Sequence, residues 1–437
     1  MRLRHSEHSE RHLRRQNIVS LAVALSLTIA SLGLHLLRFR AAGALWRDEA
    51  SGVALSTVRS LPKLWRFLMH DSFPGGFPLA LRAWAKLGFG ASDVSFRAFG
   101  LVVGVALLGA FWIAARAVGK VQPLLALALV GVCGALVCDG DAIRGYGLGG
   151  VLIVLSFALL WRYIEQPTRW RFVAATLVAT ASVQVLYQNA FLVLALCIAG
   201  AVVAGRARRA SGVLTVVAVG ILPALSLSPY AAGIAKAQSW WIVEKSGFSL
   251  EQLWGNWLAE VSSEYSFLIW IWVLLVSIAV VGTVLRLTRR SATQRPEHLP
   301  SPSLFAVTAL VLGVLVFLVF LGIARLPTQP WYFVPLVVLV ACCLDVGIQR
   351  LVKRAIYSTT ALAAVLAIAV VPRAVRDVQY RQTNLDAIAK TLASRAELRD
   401  LIVVQPWYCG VTFCRYYRGT TPWVTLPPHP GPADASL

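Results

Sequence analysis

The sequence predicts an all-α polytopic membrane protein with a small α/β tail, and three observations carry that expectation. The 437 residues are 58% hydrophobic and only 14% charged, a balance that soluble chains of this size do not keep. The apolar residues gather into successive runs long enough to cross a bilayer as helices, which satisfy their own backbone groups in lipid. Lys and Arg (41) outnumber Asp and Glu (20), yet most sit singly or in twos and threes between those runs rather than along one stripe. That is the positive-inside bias of a membrane protein, and it argues against a nucleic-acid partner.

Residues 1–17, rich in Arg, His, Ser and Glu, have no apolar period and read as a short cytoplasmic tail. Ile18–Leu37 is the first span. Its apolar run is longer than a signal peptide's, so Ala41, Ala42 and Gly43 only imitate a cleavage site and the segment is an uncleaved anchor. Further spans are expected at Phe96–Ala117, Val121–Val137, Gly147–Trp161, Phe172–Leu186, Asn189–Ala204 and Gly212–Ser228. Phe267–Leu287, Leu304–Ile323, Trp331–Ile348 and Ile356–Val371 follow, about eleven in all, so that 18–371 forms one transmembrane module.

Loop charge sets the orientation. Arg116, Lys120, Arg162, Arg169, Arg171, Arg206, Arg208, Arg209, Arg286, Arg289, Arg290, Arg295, Arg350, Lys353 and Arg354 fall on one side, while the short loops opposite carry only Arg144 and Arg325. With the N-terminus inside a plasma (inner) membrane, four regions then lie outside: 38–95, 138–146, 229–266 and the segment 372–437.

In the first of these, Ala50–Leu68 has loosely helical apolar spacing with Arg59, Lys63 and Arg66 interspersed, which suits helices lying on the membrane surface. A tight turn at Pro74–Pro78 returns the chain through Leu79–Leu87, and Asp93 is expected to cap the helix beginning near Ser95. Region 229–266 carries Trp240, Trp241, Trp254, Trp257 and Tyr265, an interfacial belt or the lining of a groove for a lipid chain or sugar ring. In the tail, Asn384–Glu397 reads as an amphipathic helix, Leu401–Val404 as a strand, Pro406–Tyr417 as a second strand or loop, and Thr421–Leu437 as Pro-rich coil. Seven cysteines without a CxxC or a zinc-spaced cluster exclude a disulfide scaffold, and a disulfide is admissible only between Cys409 and Cys414.

The stretch Trp46-Arg47-Asp48-Glu49-Ala50 follows the first span directly. Adjacent carboxylates near a low-dielectric region are costly, which marks a functional site; the plainer alternative is an acidic first turn of a helix. This motif, with His70–Pro78 and Leu79–Trp84, Arg97 at the start of the second span, and Arg144-Gly145-Tyr146, resembles the GT-C superfamily of membrane glycosyltransferases. The resemblance is to its bacterial protein O-mannosyltransferase-like and aminoarabinose-transferase-like branch. Departures are visible: Gly76-Phe77-Pro78 replaces paired prolines, Tyr187-Gln188-Asn189 stands where relatives often have Tyr-Thr-His-Tyr, and Gln329-Pro330-Trp331-Tyr332 where they often have Arg-Tyr.

The resemblance implies transfer of a sugar from a polyprenyl-phosphate donor to a hydroxyl acceptor, with inversion, on the extracytoplasmic face. Such a reaction needs a base for the acceptor proton and neutralisation of the departing phosphate. Asp48 is the expected base, and Glu49 orients the acceptor or stands behind it. Arg144, the lone cation of an acidic loop beside Asp139 and Asp141, is the expected phosphate partner unless it pairs with Asp141; Tyr146 adds a hydrogen bond. His70 and Asp71, Arg97, Tyr187, Arg325 and Gln329 are further substrate-binding candidates. No cofactor is required by the residues themselves, although relatives use a divalent cation, and Mg or Mn would suit the His70–Asp71 donors. The expected partners are the lipid-linked donor, membrane lipid and a hydroxyl acceptor of unspecified class. The rival reading is a transporter or flippase of a lipid-linked or small polar substrate. No internal repeat supports it, and the polar candidates cluster on one side rather than at the midplane.

Overall fold

Each apolar run closes its own backbone hydrogen bonds as a helix. The computed structural model describes residues 2–68, 73–207, 210–237, 249–262, 265–293, 300–325, 327–351 and 355–426. Among these, nine helices are long and apolar enough to cross a membrane, the first ending at Ala41 and the last running from Ile356 to Val378. Two expected spans take other forms. Phe172–Leu186 falls on a 17-residue helix, Arg169–Val185, that ends one residue short of the expected boundary. Val121–Val137 is broken: after Pro123, a short helix at Leu124–Ala126 widens into a π turn at Leu127–Gly131, and the chain resumes as Gly134–Gly140.

Broken backbone at membrane depth is tolerated only where protein surrounds it, and Leu124, Leu125, Ala126 and Leu127 are all fully buried. A carboxylate answers the freed donors. Asp345 sits on the helix Val334–Leu351, which is buried along most of its length. Its oxygens accept from the backbone N–H of Leu125 (2.8 Å) and Ala126 (2.9 Å), and Gln349 Nε2 donates to it at 3.0 Å. A lone acid in a span is therefore a cap for the broken helix.

Helix α1 (Arg2–Ala41) leads through Gly43, at φ +70°, into α2 (Arg47–Thr57) and α3 (Leu61–Leu68), the two short helices expected in the first loop. Helix α4 (Gly76–Trp84) starts where a tight turn was expected; Pro78 occupies its first turn, where a missing N–H costs nothing. Helix α5 (Asp93–Ala114) is capped by Ser92 rather than Asp93, whose carboxylate goes elsewhere.

The tail departs from expectation at its second half. Strand β1 (Ile402–Val404) pairs in parallel with β2 (Trp423–Thr425), which arises inside the stretch expected to be coil. Parallel pairing demands a crossover, and Pro406–Tyr417 supplies it as a turn at Trp407–Cys409 followed by a helix, Gly410–Tyr416. Cys409 and Cys414 are both free thiols, five residues apart on that helical run and so turned away from each other. Phe413 and Tyr417 pack with Ala389, from the helix Leu385–Arg395, against the two strands.

Replacing Asp345 by Leu strands two backbone donors in the core, and should cost about 2–4 kcal/mol, whereas Asp345→Asn keeps an acceptor and should cost less. Thermal unfolding of the detergent-purified variants measures both.

Candidate active site

The start of α2 forces its two acids apart, because adjacent helical residues do not share a face. Glu49 turns inward and is fully buried. Its carboxylate pairs with the Arg97 guanidinium of α5 through two N–H groups, one to Oε2 at 2.7 Å. It also accepts from the backbone N–H of Trp46 (2.8 Å) and of Ile143 (3.0 Å), while Arg97 donates to the Ala44 carbonyl at 2.8 Å. This arrangement gives Glu49 and Arg97 a structural task, pinning three chain segments together.

Asp48 turns outward. Its side chain is 20% exposed and lies between two guanidiniums: Arg47 Nε donates to Oδ1 at 2.7 Å, and Arg144 Nη2 stands 3.6 Å from Oδ2. Arg144 Nη1 also donates to the Asp48 carbonyl at 3.2 Å, and its guanidinium lies 4.3 Å over the Phe73 ring. Aromatic rings wall this cluster. Trp46 meets Trp331 edge-on at 5.4 Å, and Tyr146 stacks on Tyr332 at 5.7 Å and touches Phe73 at 5.3 Å. A carboxylate, two guanidiniums and the rings of Trp46, Phe73, Tyr146, Trp331 and Tyr332 thus gather at one part-exposed place, and a guanidinium there can bind an anion through parallel donors.

The loop that delivers Arg144 is itself held from behind. Asp141 pairs with His35 of α1 (Nδ1 to Oδ2, 2.8 Å), not with Arg144. α5 approaches so closely that a Cβ at Gly100 or Gly104 would collide with the Asp141 backbone or with the His35–Asp141 pair. Nearby, burial lifts the Glu260 carboxyl well above its ordinary range and Asp139 adds to that; burial also raises the half-buried Asp139 from 3.8 to about 6, against the pull of Glu260 and Arg38.

The tail reaches the same place, which the sequence did not signal. Tyr416 donates to Asp93 of α5 and accepts from Leu45 N–H at 2.7 Å, and Arg415 Nη2 pairs with Asp93 at 2.5 Å. The Arg47 guanidinium lies between the Trp46 ring (4.8 Å) and the Tyr408 ring (4.6 Å). Arg47 belongs to the acidic motif itself, and only the fold brings Trp331 and Tyr332 to it.

The remaining candidates are spread. Gln329 begins the turn Pro330–Phe333 that carries Trp331 and Tyr332, and the adjacent Thr328 carbonyl accepts from Asn256 at 2.7 Å. Arg325 stands exposed in a left-handed turn after the helix Pro302–Ala324, and among the described residues no hydrogen bond or ion pair links it to the Asp48 cluster. Tyr187 packs edge-on against Tyr230 (5.8 Å), whose hydroxyl accepts from Gly75 N–H, while its neighbour Gln188 donates to the Tyr332 carbonyl at 2.6 Å. His70 and Asp71, like Trp240 and Trp241, lie outside the described residues. Among those described, no group of three or more His, Cys, Asp or Glu is disposed to hold a metal.

No protein-family model and no curated protein matches the sequence. Solved structures do. The apo crystal structure of ArnT from Cupriavidus metallidurans matches with a TM-score of 0.54 at 14% identity, over 93% of this chain and 85% of that one. Its complex with undecaprenyl phosphate matches at 0.50. The oligosaccharyltransferase of Archaeoglobus fulgidus, crystallised with Zn and sulfate, matches at 0.54 with 10% identity over 91% of this chain. The chain shares the fold of these membrane proteins. This chain spans 61% of the length of the oligosaccharyltransferase. In this fold the acidic motif follows the first membrane helix, and the Arg144 loop and the Trp331–Tyr332 turn close around it.

Two predictions test this division of labour. Glu49→Gln leaves Arg97 buried without its counter-charge and should destabilise the protein by about 3–5 kcal/mol, read as a lowered melting temperature in detergent. Asp139 binds its proton more tightly in the folded protein than in the unfolded chain, so its contribution to stability falls as pH rises from about 4 to about 6. Asp139→Asn should therefore raise the melting temperature at pH 7.5, with the gain shrinking as the pH is lowered through that window.

Proposed function

We propose that the protein is a GT-C-type glycosyltransferase that moves a sugar from a polyprenyl-phosphate donor to a hydroxyl acceptor. The observation that carries this reading is the meeting of Asp48 and Arg144, 3.6 Å apart and part-exposed in an aromatic cleft although 96 residues separate them. The undecaprenyl phosphate bound by ArnT supports a lipid-phosphate donor here. The loop charges support an extracytoplasmic cleft in the inner membrane.

The geometry suggests how the two groups share the work. A donor phosphate competes with Asp48 for Arg144, and by drawing the guanidinium toward itself it frees a carboxylate oxygen to face the acceptor. Asp48 then takes the acceptor hydroxyl proton as that oxygen attacks the anomeric carbon from the face opposite the phosphate. The C–O bond to phosphate breaks, its electron pair leaves with the polyprenyl phosphate, and Arg144 neutralises the charge that develops. Attack from the opposite face inverts the anomeric centre. Trp46, Trp331 and Tyr332 offer faces for the sugar ring. Arg47 stays with Asp48 throughout, held by its two rings. Glu49 and Arg97 fix the backbone from which Asp48 projects.

Reconstituted protein with an undecaprenyl-phosphate-linked sugar gives the test. Asp48→Asn should lower the transfer rate by about 10²–10⁴-fold while the melting temperature and donor binding stay close to the parent's. Arg144→Ala should weaken donor binding by about 10–100-fold. Undiminished transfer by the Asp48 variant, across several sugars for which the parent is active, rules out the base assignment.

A further inference from the structure

Roughly 35–40 Å along α1 from the Asp48 cleft, the membrane helices part around a second hollow, with a volume of about 450 Å³. It is framed by the α1 segment from Gln16 to Leu21, the turn after α5, and the helices Val334–Leu351 and Ala355–Val378. Its chemistry is one-sided. Arg116 and Lys120, both exposed, contribute two positive charges, and Gln16, Asn17, Gln122 and Gln349 contribute amides. Among the described residues no carboxylate lines it. Asp345, one turn before Gln349, is buried and committed to the broken helix.

The arrangement is partly preset for an anion. Arg116 Nη2 donates to Gln122 Oε1 at 2.9 Å, and Gln349 Nε2 donates to the Gln122 carbonyl at 2.8 Å, so the amides hold the guanidinium end of the wall in place. Lys120 adopts a left-handed backbone, φ +54°, a conformation that residues with a Cβ rarely take. The rim is apolar: Ile18 lines the hollow and is 66% exposed, and Leu21, Val121 and Ile356 line it as well. A free phosphate has no use for such a rim, whereas a lipid lays its chains there while its headgroup enters between the cations.

We propose that this hollow is a binding site for the phosphate headgroup of an anionic phospholipid, taken from the leaflet at the end of the bundle opposite the Asp48 cleft. The inference does not depend on the transferase reading, since no residue is shared between the two sites.

The full-length, detergent-purified chain tests it with three probes: dioctanoyl phosphatidylglycerol, dioctanoyl phosphatidylcholine and inorganic phosphate, each titrated against the melting temperature and by native mass spectrometry. Phosphatidylglycerol should raise the melting temperature and remain bound in the gas phase at concentrations where the other two do neither. Each basic residue removed should weaken that binding about fivefold, and Arg116→Gln with Lys120→Gly together about 25-fold. Lys120→Gly alone is the control for folding. It relieves the left-handed backbone, so its unliganded melting temperature should not fall, and a lost lipid shift then reports charge alone. Equal shifts from phosphatidylcholine, undiminished binding in the double variant, or a shift from inorganic phosphate as large as that from phosphatidylglycerol would each overturn the lipid assignment.

Discussion

The buried pair of Glu49 and Arg97 is the constraint on which the cleft depends. Taking both charges out of water is expensive, and their attraction alone does not guarantee repayment. Here the remaining hydrogen-bonding capacity is used as well: the carboxylate accepts the N–H groups of Trp46 and Ile143, and the guanidinium reaches the Ala44 carbonyl. Three segments far apart in sequence therefore meet at one point. The stretch from the turn out of α1 to the first turn of α2, the start of α5 and the loop before Arg144 cannot shift independently. Asp48 and Arg144, each within a residue of one of those anchors, inherit their mutual position from them.

Much of the fold was legible because membrane insertion writes itself into composition. Apolar runs, basic loops and the position of the acidic motif are local signals, and they located the long helices and the two short helices of the first loop. The broken segment after Pro123 was not legible. Its apolar run looks like any other span, and only the distant Asp345, which satisfies the released backbone donors, makes the break tolerable. The second tail strand was hidden for a similar reason. Three residues beside prolines carry no alternation to read, and their pairing with Ile402–Val404 is fixed from outside by the intervening helix.

At the cleft, residue type announced Asp48 and Arg144, since charged groups beside a membrane seldom lack a task. What the sequence withheld was which of two neighbouring acids faces inward. That is decided by the Arg97 guanidinium, which supplies a buried counter-charge to Glu49 and to no other acid of the motif. That Asp141 pairs with His35 rather than with Arg144 was not legible, because a histidine within an apolar run gives no hint of a carboxylate 106 residues away. Trp331 and Tyr332 give no local sign that they face the acidic motif, because aromatic residues at a span's end are ordinary at the membrane interface.

Tyr416 and Tyr408 belong to the last-described part of the chain, yet they touch Leu45 and Arg47 near its beginning. A ribosome makes Leu45 and Tyr416 371 residues apart. The described membrane helices all precede the two tyrosines in the chain, so the stretch that carries those helices does not by itself supply this flank. A chain cut before Tyr408 leaves the motif beside α1 open there.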